Sequence, residues 1–279
     1  MPSRRAQPSS TASGTTPYGS VMSFVKKVAA QLPRPLRLRL KTIYYARKVP
    51  KFREPDVEPL RFLVRPGDIV VDLGANIGDY TFLLANLVGA QGKVYAVEPV
   101  PETFQVLSGV VRKLGLRNVE LFNCAVSEKD GTVRMEIPFH QYGVKNFYMS
   151  RIVSRQSSLD SFESFEVSCR SIDSLLSNRL VDTVSFVKCD VEGHELAVLK
   201  GASQFFERNR PAMMIEVAGT AAVQDAPNNE LFLIMKGYGY RPYWFDGKNL
   251  IERSRGHWSV NYFFLQPKHM RQLTHLHIT

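Results

Sequence analysis

Residues 67–99 contain five glycines and four acidic residues, together with two short apolar segments. Asp68–Leu73 is short, apolar and rich in β-branched residues, which predicts a buried parallel strand. Gly74–Gly78 follows without a spacer, and its glycines allow a sharp turn and a close approach of a ligand to the backbone. A helix predicted from near Gly78 directs its free N–H groups at the same place. Lys93–Val97 predicts the next strand, and Glu98 at its tip can accept hydrogen bonds from a ribose diol.

The charges of this loop indicate which nucleoside it suits. A dinucleotide site uses G-x-G-x-x-G to approach its pyrophosphate, but Asn76 stands where the second glycine would be. Asp72 would also repel a pyrophosphate by about 1 kcal/mol or more, even at an effective dielectric constant of about 20. S-adenosylmethionine carries a sulfonium and an ammonium group against one carboxylate, so this acid is compatible with it. The sequence therefore predicts an S-adenosylmethionine pocket rather than a glycine-bearing turn of another α/β protein. The residues expected to contact this cofactor here are Asp72, Gly74, Asn76, Gly78, Thr81 and Glu98.

A third strand is predicted over Asn118–Ala125. The carboxyl ends of parallel strands meet along one crevice. We therefore expect Asn123 and Ala125 to contact the adenine base of the same cofactor.

A second chemical cluster follows the apolar strand predicted over Thr183–Cys189. Four ionisable residues lie within six positions there: Asp190, Glu192, His194 and Glu195. An imidazole has a reference pKa of about 6.5, so His194 is the candidate general base, with Asp190 or Glu192 orienting it. The alternative is a helix-start histidine that faces solvent or a neighbouring residue.

The carboxylates of this cluster have competing roles. Asp190 could contact the ammonium group of the cofactor, or it could bind a divalent cation together with Glu216. Glu192 could instead act through its charge at a helix N-terminus. Dispersed carboxylates are weak evidence for a metal, so no metal site is expected.

The rest of the chain alternates strands with helices. Asp173 is predicted to cap a short helix, and residues 138–166 form a weakly periodic insert that either covers the pocket or is a plain surface loop. Tyr240–Phe245 and Asn261–Leu265 predict a C-terminal antiparallel hairpin with a turn at Asp246-Gly247. Together these patterns predict an α/β fold with a seven-stranded, mostly parallel sheet and helices on both faces.

Positive charge is concentrated at the N-terminus. The chain has 36 Lys and Arg against 26 Asp and Glu, and residues 1–53 hold twelve of the cations and none of the acids. The other residues carry 24 cations and 26 acids, so the predicted catalytic domain, residues 54–279, is nearly neutral. Nucleic-acid binding by a basic domain face is therefore not expected.

Residues 1–53 are predicted to be a basic and partly disordered N-terminal extension. Residues 1–20 are rich in Ser, Thr, Pro and Gly, whereas residues 21–53 mix apolar residues with cations. This second part suits peripheral contact with an anionic membrane surface, or alternatively a helix packed on the flank of the domain. An organelle transit peptide is a minority interpretation of the same composition.

The chain contains three cysteines, Cys124, Cys169 and Cys189, too far apart for a redox or metal-binding pair. We expect them to be small buried residues in a reducing compartment. The apolar run at residues 82–90 is too short to span a membrane and is interrupted by Asn86. No transmembrane helix is therefore expected. The expected location is the cytoplasm, with or without peripheral membrane contact.

Five sequence blocks, in order, resemble the FkbM family of S-adenosylmethionine-dependent methyltransferases over about residues 54–217. They are Asp72–Gly78 with Glu98-Pro99, Asn123–Ser127 with Gly131, Ser171–Leu175, Val187–Glu195, and Leu199–Ala202. The resemblance implies a class I methyltransferase fold, which is Rossmann-like, and usually O-methylation of hydroxyls on sugars, polyketides or other natural products. It does not extend to the basic extension.

The expected function is therefore O-methylation of a small-molecule or glycan hydroxyl, such as that of a sugar, a glycolipid or another natural product. One alternative is an RNA methyltransferase tethered by its basic extension, although the chain lacks an N/D-P-P-Y signature of amino-group methylation. The other is a noncatalytic S-adenosylmethionine-binding module, against which the intact Asp72, Gly74, Gly78 and Glu98 argue.

Overall fold

The computed structural model describes residues 32–138, 151–153, 162–177, 183–217, 219, 221–226, 229–274 and 276–278. The predicted disordered residues 1–20, the residues up to 31 and most of the insert at 138–166 lie outside this set. The chain divides into two compact units, residues 1–37 and residues 38–279.

The first half of the chain alternates helices and strands as the sequence predicts. It contains α1 (Arg34–Lys48), a short 3-10 turn (Val49–Lys51), α2 (Val57–Leu63), β1 (Ile69–Leu73), α3 (Asp79–Val88), β2 (Lys93–Val97), α4 (Pro101–Lys113), β3 (Val119–Phe122), β4 (Ala125–Val126) and β5 (Gly131–Pro138).

The second half continues the alternation. It contains β6 (Arg151–Val153), β7 (Phe162–Arg170), α5 (Ile172–Leu176), β8 (Val184–Cys189), α6 (Glu195–Lys200), α7 (Ser203–Arg208), β9 (Ala212–Glu216), α8 (Ala221–Gln224), α9 (Glu230–Gly237), β10 (Arg241–Phe245), β11 (Asn249–Glu252), β12 (Asn261–Leu265), α10 (Pro267–Met270) and β13 (His277–Ile278).

The main sheet has the strand order β13-β11-β10-β12-β9-β8-β1-β2-β3. The five strands from β3 to β9 run parallel, β12 is antiparallel to β9, and β10 is antiparallel to β12. These seven strands are the predicted mostly parallel sheet with its C-terminal antiparallel hairpin, so the predicted fold class is confirmed. The short strands β11 and β13 extend the edge to nine strands, and the Asp246-Gly247 turn joins β10 to β11 rather than to β12.

Helices cover both faces of this sheet because successive side chains of a strand point to opposite sides. Val71 and Leu73 of β1 belong to one buried cluster, which includes residues of α5, α6, α7 and α9. Val70 belongs to the other cluster, which includes residues of α2, α3 and α4. A strand buried on both faces needs a nearly continuous apolar sequence, and this explains the run before Asp72.

A second, four-stranded sheet was not predicted. Its order is β4-β7-β5-β6, and β5 pairs antiparallel with β7 along its whole length. The predicted third strand therefore ends at Phe122, and Ala125 begins β4 in the second sheet instead. Met135, Ile137 and Val167 form the small apolar core of this sheet.

Helix α1 packs against α4 from residue 38 onward. Ala46 and Val49 share a buried cluster with Val106 and Val110. Gly109 allows this approach, since a Cβ at that position would lie 2.7 Å from Thr42 Cγ2. Residues 38–53 therefore include a helix packed on the flank of the domain.

The N-cap of α5 differs from the predicted one. The helix α5 is capped by Ser171, whose hydroxyl accepts from Ser174 N at 3.1 Å, so the cap predicted at Asp173 is wrong. Asp173 instead accepts hydrogen bonds from Gln204 N and Phe205 N at the start of α7.

The three cysteines are buried and unbridged, as predicted. Within the described ranges, every helix is too short or too polar to cross a bilayer.

Candidate active site

A cleft of about 590 Å³ opens where the carboxyl ends of β1, β2 and β8 meet. Parallel strands place their carboxyl ends at one edge, so three loops far apart in sequence converge there. The lining comes from those loops and from the second sheet. It comprises Gly74, Asn76, Val97, Glu98, Pro99, Val100, Cys124, Ala125, Val126, Met135, Ile152, Asp190, Val191 and Glu192.

The loop between β1 and α3 has a backbone that side chains would obstruct. Gly74 has φ +78°, and a Cβ there would overlap the carbonyl oxygen of Asp190, far inside van der Waals contact. Gly78 has φ +99° and caps α3, and a Cβ there would press on Leu107. Asn76 also adopts a left-handed conformation, with φ +48°. The loop therefore turns tightly enough to bring its backbone to the cleft wall.

Asp72 lies beneath this loop rather than on the cleft surface. It is completely buried, and Thr81 Oγ1 donates to its Oδ2 at 2.6 Å. Burial raises the pKa of Asp72, and the charge of Lys188 acts in the opposite direction. Its Oδ1 has no hydrogen-bond partner among the described residues. Asp72 and Thr81 thus act on the cleft through the loop that they support.

Glu98 is the carboxylate of the cleft at the end of β2. It is buried, and its two oxygens accept from Val100 N and Asn76 N, each at 2.9 Å. Burial raises its pKa to about 7, although both of these hydrogen bonds act to lower it. The two N–H groups fix the carboxylate in place and leave each oxygen with lone-pair capacity for a hydroxyl donor.

Residues from β3 to β5 form the wall beyond Glu98. Asn123 does not line the cleft, because its amide donates to the carbonyls of Glu98 and Pro99 at 2.9 and 3.1 Å and so holds that loop. Ala125 does line it, beside Met135 of β5. Met135 and Ile152 were not predicted from the sequence, because strand pairing in the second sheet brings them to the cleft.

A buried lysine lies at the carboxyl end of β8, behind the cleft. Lys188 Nζ donates to Asp190 Oδ2 at 2.8 Å, and it lies 4.7 Å from the centroid of the Tyr80 ring. Burial acts to lower the pKa of Lys188, but the charges of Asp190 and Asp72 outweigh it and the net shift is upward. Lys188 lies within the family block Val187–Glu195, but its role could not be predicted from the sequence. A lysine inside an otherwise apolar strand was the available signal.

Two glutamates, Glu192 and Glu216, interact electrostatically with Asp190. Glu216, at the end of β9, is hydrogen-bonded to Asp190, and burial together with the charges of Asp190 and Glu192 raises its pKa to about 8. Glu192 has a left-handed backbone conformation, with φ +54°. Partial burial and the charge of Asp190 raise the pKa of its side chain to about 7. A pKa near neutral pH, as for Glu192 and Glu216, suits proton transfer.

His194 points elsewhere. Its Nε2 is joined to Ser127 Oγ by a 2.9 Å hydrogen bond, and it is not among the residues lining the cleft. Burial lowers its pKa. Glu195 is also turned away, accepting from Val191 N and Gly193 N at 3.1 Å. Of the predicted catalytic residues, the structure therefore brings Asp190 and Glu192 to the cleft and places His194 against Ser127.

The residues present fit S-adenosylmethionine. Asn76 Oδ1 is buried without a partner in the described part of the chain, and Asn76 and Gly74 both line the cleft. Glu98 supplies a fixed carboxylate for hydroxyls, and Asp190 supplies one for an ammonium group. Of the predicted cofactor residues, Gly74, Asn76, Glu98, Ala125 and Asp190 line the cleft, whereas Asp72, Gly78, Thr81 and Asn123 support it.

A metal ion would need its own group of ligands at this site. Across the residues that the structure describes, no group of three or more His, Cys, Asp and Glu is arranged to hold a metal ion. The pairing of Asp190 with Glu216 thus has no third such ligand in that part of the chain.

The chain is similar to known methyltransferases. The chain is 29% identical over 199 residues to the 31-O-demethyl-FK506 methyltransferase FkbM of Streptomyces tacrolimicus, covering 63% of this chain and 74% of that protein. It is 25% identical over 216 residues to the methyltransferase sdnD of Sordaria araneosa, covering 70% and 78%. The crystal structure of an FkbM methyltransferase from Methylobacillus flagellatus aligns with a TM-score of 0.47 and 17% identity, covering 88% of this chain and 59% of that one.

A family model, the methyltransferase FkbM domain, matches residues 72–242, which is more than half of the chain. The match includes the glycine loop, Glu98, the β8 carboxylates and Glu216. The chain therefore belongs to the FkbM family of S-adenosylmethionine-dependent methyltransferases.

Proposed function

We propose that this methyltransferase transfers a methyl group to the hydroxyl of a small molecule or glycan, such as a sugar, a glycolipid or another natural product. The observation that carries the proposal is the group of carboxyls around Asp190, in which Glu192 and Glu216 have pKa values of about 7 and 8. A hydroxyl must lose its proton when it is methylated, and an acceptor with a pKa near the working pH is the efficient one.

The protein's own residues divide the work. Bound S-adenosylmethionine supplies an electrophilic methyl group. Glu98 would hold its ribose hydroxyls, Gly74 and Asp190 its methionine part, and Ala125 its base. Positioning is the larger contribution, because holding two reactants in line can lower a barrier by several kcal/mol.

The acceptor hydroxyl would give its proton to the carboxyls around Asp190. Asp190 and Glu192 line the cleft, and Glu216 interacts with Asp190 from outside the lining. Lys188 holds Asp190 in one orientation through its 2.8 Å ion pair. When Glu216 is ionised, it and Asp190 can take up the proton of the acceptor hydroxyl and then share it in the hydrogen bond between their carboxyls. His194 remains the competing candidate, and its Nε2 is engaged by Ser127.

Support for an oxygen acceptor also comes from a relative. The name of the Streptomyces protein specifies 31-O-demethyl-FK506, a compound that lacks an O-methyl group. We propose that this chain also methylates an oxygen atom. We do not propose that it acts on the same compound.

The proposal is tested with labelled cofactor. Purified protein is incubated with methyl-tritiated S-adenosylmethionine and with separate small-molecule, glycan, lipid and RNA fractions. We expect label in a hydroxyl-bearing small-molecule, glycan or lipid product, as an ether stable to mild base. Label in RNA would favour the tethered RNA enzyme, and cofactor binding without transfer to any fraction would favour a noncatalytic module.

We also propose peripheral contact with an anionic membrane surface through residues 21–53. Leu40 and Tyr44 lie one helical turn apart on α1, with 47% and 59% of their surface exposed. Arg39, Arg47 and Lys48 are exposed on the same helix. Exposed apolar side chains among cations suit anionic lipids, where each cation contributes about 1 kcal/mol.

Vesicle sedimentation tests this contact. Full-length protein should co-sediment with vesicles of phosphatidylcholine and phosphatidylserine but not with phosphatidylcholine alone, and less at high salt. Leu40→Glu with Tyr44→Glu should abolish the binding, whereas Leu233→Glu, at an equally exposed position on α9, should not. Equal sedimentation of all three proteins would reject the proposal.

A further inference from the structure

Three exposed apolar side chains lie beside the carboxyl edge of the main sheet. Val223, Trp258 and Val260 have 55%, 50% and 41% of their surface exposed. The backbone N–H of Val217 donates to the carbonyl of Val260 at 2.7 Å, and Glu216 pairs with Asn261 across β9 and β12. This apolar surface therefore begins one residue beyond Glu216, at the same edge as the cleft carboxyls.

A buried polar network holds the surface in place. Gln224 is 2% exposed, and its amide donates to the carbonyls of Val217 and Ser259 at 2.8 and 3.0 Å. Its carbonyl accepts from the Tyr262 hydroxyl at 2.9 Å. Asp225 is paired with Arg253 and also accepts from Gly256 N. The segment after β9 and the segment before β12 are thus tied together below their exposed side chains.

The surface itself offers almost no polar recognition. The indole N–H of Trp258 donates to the carbonyl of Gly219 at 2.6 Å, which occupies the only donor of that side chain. Val223 packs on the same Gly219, where a Cβ would lie 2.9 Å from Val223 Cγ1. An indole face beside two isopropyl groups binds ligands through burial of apolar area and dispersion.

We infer that Val223, Trp258 and Val260 form an acceptor platform that binds the apolar face of the methyl acceptor. The inference rests on the proposed function and narrows its substrate class. The acceptor is a molecule whose reactive hydroxyl lies next to a hydrocarbon or ring face, rather than a fully hydrophilic free sugar. Its hydroxyl enters the cleft beside Asp190, the lining residue that interacts with Glu216, and its apolar face covers the platform.

The experiment uses full-length protein, methyl-tritiated S-adenosylmethionine and a cell extract divided into butanol-soluble and water-soluble small molecules. We expect label in the butanol-soluble fraction. Trp258→Ala and Val223→Ser should each raise the concentration of that fraction needed for half-maximal labelling, about tenfold for the tryptophan. The rate at saturation should change less than twofold. Leu233→Ser on α9, which lies outside the two segments of the platform, serves as the matched control.

Calorimetry with S-adenosylhomocysteine checks that the variants are folded and bind product as the parent protein does. Label confined to the water-soluble fraction, or half-maximal concentrations unchanged in both platform variants, would overturn the inference while leaving methyl transfer to a hydroxyl intact. A change of oligomeric state in Trp258→Ala on gel filtration would overturn it too, by making the platform a subunit contact. No labelling of any fraction would overturn the proposed function and this inference with it.

Discussion

Lys188 Nζ lies 2.8 Å from Asp190 Oδ2 at the end of β8, with the lysine side chain 5% and the aspartate side chain 30% exposed. Removing one partner of a buried ion pair leaves an uncompensated charge. Lys188→Met should therefore lower the free energy of unfolding by roughly 1–3 kcal/mol, less than for a fully buried pair because Asp190 is partly solvated. Denaturant unfolding measures this.

Lys188→Arg is the control, since it keeps the positive charge. It should recover part of the lost stability. If Lys188→Met is as stable as the parent protein, the pair does not hold Asp190 in place.

The glycine loop permits a matched test of close approach. Gly74 and Gly67 both have positive φ values, +78° and +90°, but a Cβ at Gly74 would overlap the Asp190 carbonyl whereas Gly67 faces open space. Gly74→Ala should cost roughly 3 kcal/mol or more and abolish binding of S-adenosylhomocysteine. Gly67→Ala should cost about 1–2 kcal/mol from backbone strain alone and retain binding. Equal effects in thermal unfolding and calorimetry would contradict this account.

Glu216 should make folding stability depend on pH. Burial raises its pKa from 4.5 to about 8, so the folded state favours the protonated carboxyl. The stability contribution of this proton is complete below pH 4.5 and is lost as the pH rises through 8. Glu216→Gln cannot ionise, so its melting temperature relative to the parent protein should increase between pH 5 and pH 9.

Thermal unfolding at several pH values measures that difference, which removes the contributions of other titrating groups. We expect it to change by about 2–4 °C, which corresponds to about 1 kcal/mol in a protein of this size. A constant difference would show that Glu216 titrates as an ordinary carboxylate.

The hydrogen bond between Ser127 and His194 separates two roles for the histidine. If His194 only ties its loop to β4, then His194→Ala and Ser127→Ala should each cost about 1 kcal/mol, and their effects should not add. The kcat of both variants should then stay within tenfold of the parent value. We expect this outcome because Nε2 is already engaged.

The opposite outcome identifies a general base. In that case His194→Ala should lower kcat by about 10²- to 10⁴-fold, whereas Ser127→Ala should keep near-normal turnover. The kcat is measured with the acceptor that the labelling experiment yields.

The contact between α1 and α4 can be tested with a rescue. Gly109→Ala places a Cβ 2.7 Å from Thr42 Cγ2, and overpacking of this kind costs about 1–3 kcal/mol. Thr42→Ala removes that methyl group, so the double variant should recover most of the loss. Gly237→Ala, in a helix with open space around it, should be neutral or slightly stabilising. Failure of the rescue in denaturant unfolding would place α1 elsewhere.

The sequence by itself determined the main sheet and the first wall of the cleft. A strand buried on both faces requires a continuous apolar run, and a tight turn requires glycine, so β1, Gly74, Gly78 and α3 could be predicted from local composition. Glu98 followed from its place at the tip of the next strand. The burial of the three cysteines followed from their wide spacing, which rules out a redox or metal-binding pair.

Only the tertiary structure decided which ionisable side chains face the cleft. Asp190, Glu192 and His194 are near neighbours in sequence, yet the positive φ of Glu192 and the partner Ser127 turn the histidine away from the other two. Asp173 caps a helix thirty residues later rather than its own, and Trp258 reaches the β9 edge through a strand that returns antiparallel. Sequence periodicity reports how each residue is buried, but a side chain's partner is set by contacts between segments distant in the chain, which no local pattern contains.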